Sequence, residues 1–311
     1  MRLVSFIALA LFLPTFASAT QLIPMCRIDS YFEVTQDTEI VCISGNLFID
    51  AQIMTMGNSL KISAVDGDVI FTDRSEIRAY PEDIYQIESL EMQSGANGKP
   101  GVSGEEDTHR RELRNGDNGD HGQTGPKGAD GLSSNLVLVE AKGAIKGHVV
   151  IINDGTNGLN GGPGGKGGAG GDGTRGNVRG RGNGITCERH PSPGGDGGDS
   201  GRPGWGGPGG NGGDAGLVTL VGSLEVDSLY VSVIAGVAGP SGPIGIPGAK
   251  GEGARGKKGP AECGGRADDG DDGRVLRDPH PNLEPDAPKD GSATGVLLGG
   301  DKQSLVSAGN A

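Results

Sequence analysis

The sequence predicts a mainly β protein joined to a polyglycine/polyproline II helix bundle. Short β-strand pairs stack at one end, Gly-X-Y helices extend away from them, and few or no α-helices follow the leader. Three observations predict it. Glycine supplies 62 of 311 residues and falls in registers of three. Strand-like segments separate those registers and repeat with a fixed offset. Aromatic residues are 4 % of the chain, with one tryptophan, too few bulky side chains for the cores a chain of this length normally buries.

The elements follow in order. Met1 and Arg2 precede an apolar stretch over residues 3–13, then Pro14 and the small residues Ala17, Ser18 and Ala19, the pattern of a signal peptide cleaved after Ala19. Arg2 is the only charged residue removed, which leaves 26 basic residues against 40 acidic, a net of −14. That balance excludes nucleic acid as the expected partner. No later apolar run reaches the length of a membrane span. Export places Cys26, Cys42, Cys187 and Cys263 in an oxidising compartment, where two structural disulfides are expected and three connectivities are open.

Residues 20–94 read as an N-terminal β domain. Apolar runs at 40–43, 47–49, 60–62 and 69–71 are punctuated by Gly45, Gly57 and Gly67, the spacing of a small sheet stack or β-solenoid. Residues 136–139 and 149–152 flank a centre at 143–147 and read as a pair of strands. Residues 217–221 and 229–234 read as a second pair. The two units align with an offset of 81, placing Leu136 on Leu217 and Gly155 on Gly236, so the domain over 95–295 is an internal repeat. Residues 296–298, in the final segment 296–311, read as the remnant of a third unit.

Between the strands lie triplet runs over 95–104, 116–131, 155–176, 195–216 and 236–259. Three residues per turn is the period of polyproline II, so a glycine at each third place bares one edge of the helix for a close neighbour. Runs with two glycines in three, as over 161–171, bare two edges and suit a segment with neighbours on two sides. Equal runs over 155–176 and 195–216 read as an out-and-back pair. The far turns then fall at 105–115, 177–194 and about 260–290, which brings Cys187 to Cys263 and leaves Cys26 for Cys42.

The collagen-like stretch over 236–248 and the doublet run over 161–172 carry a resemblance. The segment 95–273 resembles collagen-like and polyglycine II glycine-rich repeat proteins. The glycine-rich sandwich of phage tail-fibre adhesins and the glycine-rich antifreeze protein of snow fleas are similar architectures. The adhesin resemblance implies that far loops bind a receptor.

Those loops collect the unusual side chains. The first spans residues 105–112 and holds His109, Arg110 and Arg111. The second holds Arg179, Arg181, Glu188, Arg189 and His190. The third holds Asp268, Asp269, Asp271, Asp272 and His280. His109, Arg110, Arg111, Arg189, His190 and His280 are the candidate binding residues. Asp268, Asp269, Asp271 and Asp272 are the candidate metal ligands, for calcium. Asp172, Asp199 and Asp214 sit in fragments of the calcium β-roll repeat that lack its apolar residue, and are expected to be solvated. The run Gly251 to Gly256-Lys257 approaches a phosphate loop, but Lys258 stands where Ser or Thr is needed. With no catalytic motif present, the reading is a non-enzymatic, secreted or cell-surface, adhesin-like structural protein without a cofactor. Its partner would be an extracellular protein or glycan receptor, and its state a monomer. A collagen-like homotrimer and an ice-binding protein are the alternatives.

Overall fold

The computed structural model describes residues 21–85, 94–105, 114–299 and 304–306. The expected leader and the residues His109, Arg110 and Arg111 lie outside them. Nine short strands open the fold: Gln21–Pro24 (β1), Arg27–Ile28 (β2), Phe32–Glu33 (β3), Thr38–Cys42 (β4), Leu47–Ile49 (β5), Gln52–Met54 (β6), Leu60–Ala64 (β7), Val69–Phe71 (β8) and Glu76–Arg78 (β9). They form three parallel ladders, β1-β4-β7, β2-β5-β8 and β3-β6-β9, so each trio is one turn of a coil. Two long strands continue the stack: Val137–Ile152 (β10) and Val218–Ser232 (β13). β10 pairs with β7, then β8, then β9 along its own length, and β13 pairs with β10. Val296–Gly299 (β14) adds to β13 in parallel, and Ser304–Val306 (β15) closes the sheet as its one antiparallel strand. The 13 strands wrap the core as a half-barrel.

Alternation puts every second side chain inside, and the register stacks them in columns. Ile23, Ile40, Ile62, Val139, Leu220 and Leu298 form one column, each paired with the next. Ile53, Ile77, Ile151 and Val231 form another. Ile40, Ile53, Ile62, Ile77, Val139, Ile151 and Leu220 are fully buried. Each such side chain contributes about 1.5–3 kcal/mol relative to exposure. One apolar cluster runs from Ile28 to Val296, so the long strands share the core of the N-terminal turns.

This overturns the expected fold class. The sheet organises the chain, and no collagen or polyproline helix bundle is evident. The expected strand pairs are single continuous strands. Their central glycines are corners rather than hairpin turns: Gly147 has φ +87° and Gly222 φ +138°, left-handed values at which the chain bends around the coil, the pairing shifts register and then resumes with the same neighbour. The collagen-like trimer loses its basis with that helix.

The glycine segments carry the sheet's parallel order outward as extended chain. Residues 94–104 donate to 163–172 within the segment 153–176, which donates to 232–255, in one row. Residues 116–135 donate to 194–216, which donate to 268–274 and 289–292, in a second row running the other way. Gly161 N–H bonds Pro240 O in its own row, and Gly162 N–H bonds Pro126 O across to the other, both at 2.9 Å. Approach is close enough that a Cβ on Gly165 would sit 2.1 Å from Ala96 O. The triplet period therefore records lateral contact between chains set in register by the sheet.

Side chains complete the rows. Asn118 Oδ1 accepts from Asp199 N–H at 2.7 Å, and Asp199 Oδ1 accepts from Arg274 N–H at 2.7 Å. Asp172 Oδ1 accepts from Glu252 N–H, and Asp214 Oδ1 from Ser292 N–H. The aspartates expected to be solvated are thus inter-segment acceptors.

Candidate functional site

The segments leave the sheet near Asn153 and turn at their far end, where three stretches of chain meet. Thr174 donates through its hydroxyl to Glu105 O (2.9 Å) and through its N–H to Arg114 O (2.9 Å). Two short strands, Arg181–Gly182 (β11) and Cys187–Arg189 (β12), form a hairpin over the turn. The Cys187–Cys263 disulfide ties that hairpin to the turn Ala261–Cys263, and Gly184 N–H donates to Glu262 Oε1 at 3.0 Å. The second disulfide, Cys26–Cys42, pins the first coil turn. Two disulfides fit an oxidising, extracellular or periplasmic location. Among the described residues no helix is long and apolar enough to cross a membrane.

Beside the disulfide-linked turn lies an open cleft of about 200 Å³, lined by Arg175, Arg179, Arg255, Gly256, Lys257, Lys258 and Arg266. Its cations come from two neighbouring segments and the strand that returns from the turn. Gly176 N–H donates to Arg255 O (3.4 Å), and Ala267 N–H to Lys257 O (3.0 Å), which sets their backbones in register. Lys258 and Arg266 face each other across an antiparallel bridge. Lys257 is half-buried and the other five are exposed. None of the six forms an ion pair with a described residue. At the same end Arg114 is 2 % exposed, and its Nε and Nη1 have no hydrogen-bond partner.

The expected binding residues are placed differently. Arg189 lies on β12 and His190 just beyond it, both exposed and neither lining the cleft. His280 is away from the far end: its carbonyl accepts from Trp205 Nε1 at 2.8 Å and its ring lies 6.0 Å from that of His121. The four candidate metal ligands are spread along one segment and do not converge. Asp268 O accepts from Gly194 N–H (3.0 Å), and Asp269 Oδ1 from Gly256 N–H (2.8 Å). Asp271 donates its N–H to Asp196 Oδ1 (3.0 Å), and Asp272 pairs with Lys250 and accepts from Gly253 N–H. Among the described residues no group of three or more His, Cys, Asp or Glu could hold a metal.

Charge shifts follow the row bonds. The Arg274 guanidinium and backbone N–H hold the Asp199 carboxyl below the usual carboxylate range. The Ser292 hydroxyl and N–H do the same for Asp214, and Lys250 with Gly253 N–H for Asp272. Each is a bond to the ionised form.

A second polar constellation lies on the coil. His148 Nδ1 is 2.9 Å from Ser228 Oγ, and His148 Nε2 is 3.0 Å from Asp73 Oδ1. The Asp73 side chain is 85 % exposed and that of His148 44 %. Water competes for both bonds, unlike the buried carboxylate that holds a catalytic imidazole in place.

Comparison with protein-family models, with curated proteins and with solved structures finds no match.

Sequence reasoning singled out Arg179 and its loop but missed Arg175, Arg255 and Arg266 as neighbours. In the sequence Lys257 and Lys258 stand out only as part of an incomplete phosphate loop. The repeat offset of 81 sets Arg175 against Gly256, one position from both Arg255 and Lys257, so a cation count along the two outgoing runs would have brought these three together.

Proposed function

We propose that this is an exported, adhesin-like structural protein that acts by binding a partner at its far end. The parallel coil anchors the molecule, and two rows of laterally bonded chain hold the binding end away from it. The observation that carries the reading is the convergence at that end of a disulfide-locked hairpin and an unpaired cationic cleft. Rigid backbone supports under exposed charged loops are the arrangement of a recognition surface. The partner is an extracellular protein or glycan, and no step of the reading calls for catalysis or a cofactor. Exchange of residues 177–194 for a neutral loop tests it. Capture of the partner surface should fall while the disulfide map and thermal transition stay intact. Unchanged capture after exchange of each far loop in turn would overturn it.

A further inference from the structure

The cleft supplies a chemistry for the far end, and the inference here rests on the reading of that end as a binding surface. We infer that the cleft binds sulfate or phosphate groups carried on an acidic polysaccharide. The chain carries 40 acidic against 27 basic residues, so carboxylates suffice to neutralise every cation. Over much of the molecule they do: Lys61 meets Glu39 and Glu140, Lys127 meets Asp130, Lys146 meets Asp68, and Arg274 meets Asp199. Among the described residues, the six cations of the cleft have no such partner.

Three described carboxylates of the same end have bonds of their own. Asp269 accepts from Gly256 N–H, Glu262 from Gly184 N–H, and Glu188 lies 3.4 Å from Arg181. Six like charges gathered on a fixed backbone repel one another, and among the described residues no ion pair relieves them. An anion from outside relieves that repulsion.

The side chains select the anion. Four of the six are arginines, whose planar forks bind two oxygens of a sulfate or phosphate at once. The lysines add point charges. At about 200 Å³ the cleft is smaller than a typical small-molecule pocket of roughly 300–1,000 Å³, so it takes a charged substituent rather than a whole cofactor. No aromatic side chain lines it to stack a base, as a single-stranded nucleic acid would require. A polysaccharide with separated charged groups satisfies both limits. Because lateral bonds and the Cys187–Cys263 link already order the backbone, binding orders side chains only.

The test uses the exported chain with both disulfides intact, against immobilised dextran that is sulfated, phosphate-substituted or unsubstituted, with single-stranded DNA as a further arm. Binding to a charged dextran, none to neutral dextran, and a log-linear loss with salt are expected. Arg179→Glu combined with Lys257→Glu should weaken binding by roughly tenfold or more, and Lys127→Glu, away from the cleft, should not. The two charged dextrans decide between sulfate and phosphate. DNA bound as tightly as the charged dextrans, or affinity unmoved by the double reversal, would overturn the proposal. If the double reversal changes nothing but exchange of 177–194 still abolishes partner capture, the oxyanion site fails and the far-end reading stands. If neither change has an effect, both fail.

Discussion

The parallel coil and the glycine segments solve the same problem with opposite materials. In the coil, Ile40, Ile62, Val139 and Leu220 exclude water with side chains, and the backbone bonds follow. In the segments, side chains are removed so that backbones approach, and lateral N–H to carbonyl bonds do the joining. The coil depends on apolar area, which tolerates exchange of one aliphatic residue for another. The segments depend on the absence of a single atom, which tolerates nothing larger. Composition that would mark a chain as too poor to fold is here paired with a short, dense core that sets the register for the rest.

The sharpest test of this contrast is in the coil. Ile62→Ala should cost about 4 kcal/mol, read by denaturant unfolding, and should destabilise both regions together because the core aligns the segments. Loss confined to the coil would show that the segments hold their own register. Gly165→Ala should cost about 3 kcal/mol, since the new methyl meets the carbonyls of Ala96 and Gly95 rather than a movable side chain. Hydrogen exchange should rise in the rows first, with the coil protected. A variant as stable as the parent would break the comparison.

Removal of the Cys187–Cys263 link by paired serine substitution should cost less, about 2 kcal/mol. Lateral bonds already hold both turns, so the change should be confined to faster exchange around 181–189 and 261–266. Acid gives the smallest and most selective effect. Asp199, Asp214 and Asp272 have carboxyl groups held below their ordinary values, so their stabilisation is complete above about pH 4 and is lost as pH falls through the depressed values. Far-ultraviolet and exchange measurements between about pH 4 and pH 2 should show the rows loosening before the coil. Asp214→Asn keeps an acceptor for Ser292 N–H and should behave like the parent at neutral pH with a weaker acid response. Simultaneous loss of both regions would count against separate supports.

Much of the coil was legible. The apolar runs at 40–43, 47–49, 60–62 and 69–71 correspond to β4, β5, β7 and β8, because alternation and turn glycines are local properties. The offset of 81 between repeats is close to the physical register, with Val137 opposite Val218. The centre of β10 was not legible: Gly143 and Gly147 look like a turn until a neighbouring strand is present to keep the bend paired. Asp172, Asp199 and Asp214 looked solvated because the N–H groups they accept lie 80, 75 and 78 positions away.

The candidate site divides along the same line. Cysteine pairing was legible because equal out-and-back runs imply which turns share an end. The cleft was not, since Arg175, Arg255 and Arg266 are ordinary cations until the register sets them around one space. Local pattern therefore determined where the chain extends, where it turns and which segments repeat, because period and backbone freedom are written residue by residue. Which segments lie side by side, which carboxylates are occupied and which cations are left over were decided by the tertiary structure, because each is a property of pairs distant in sequence.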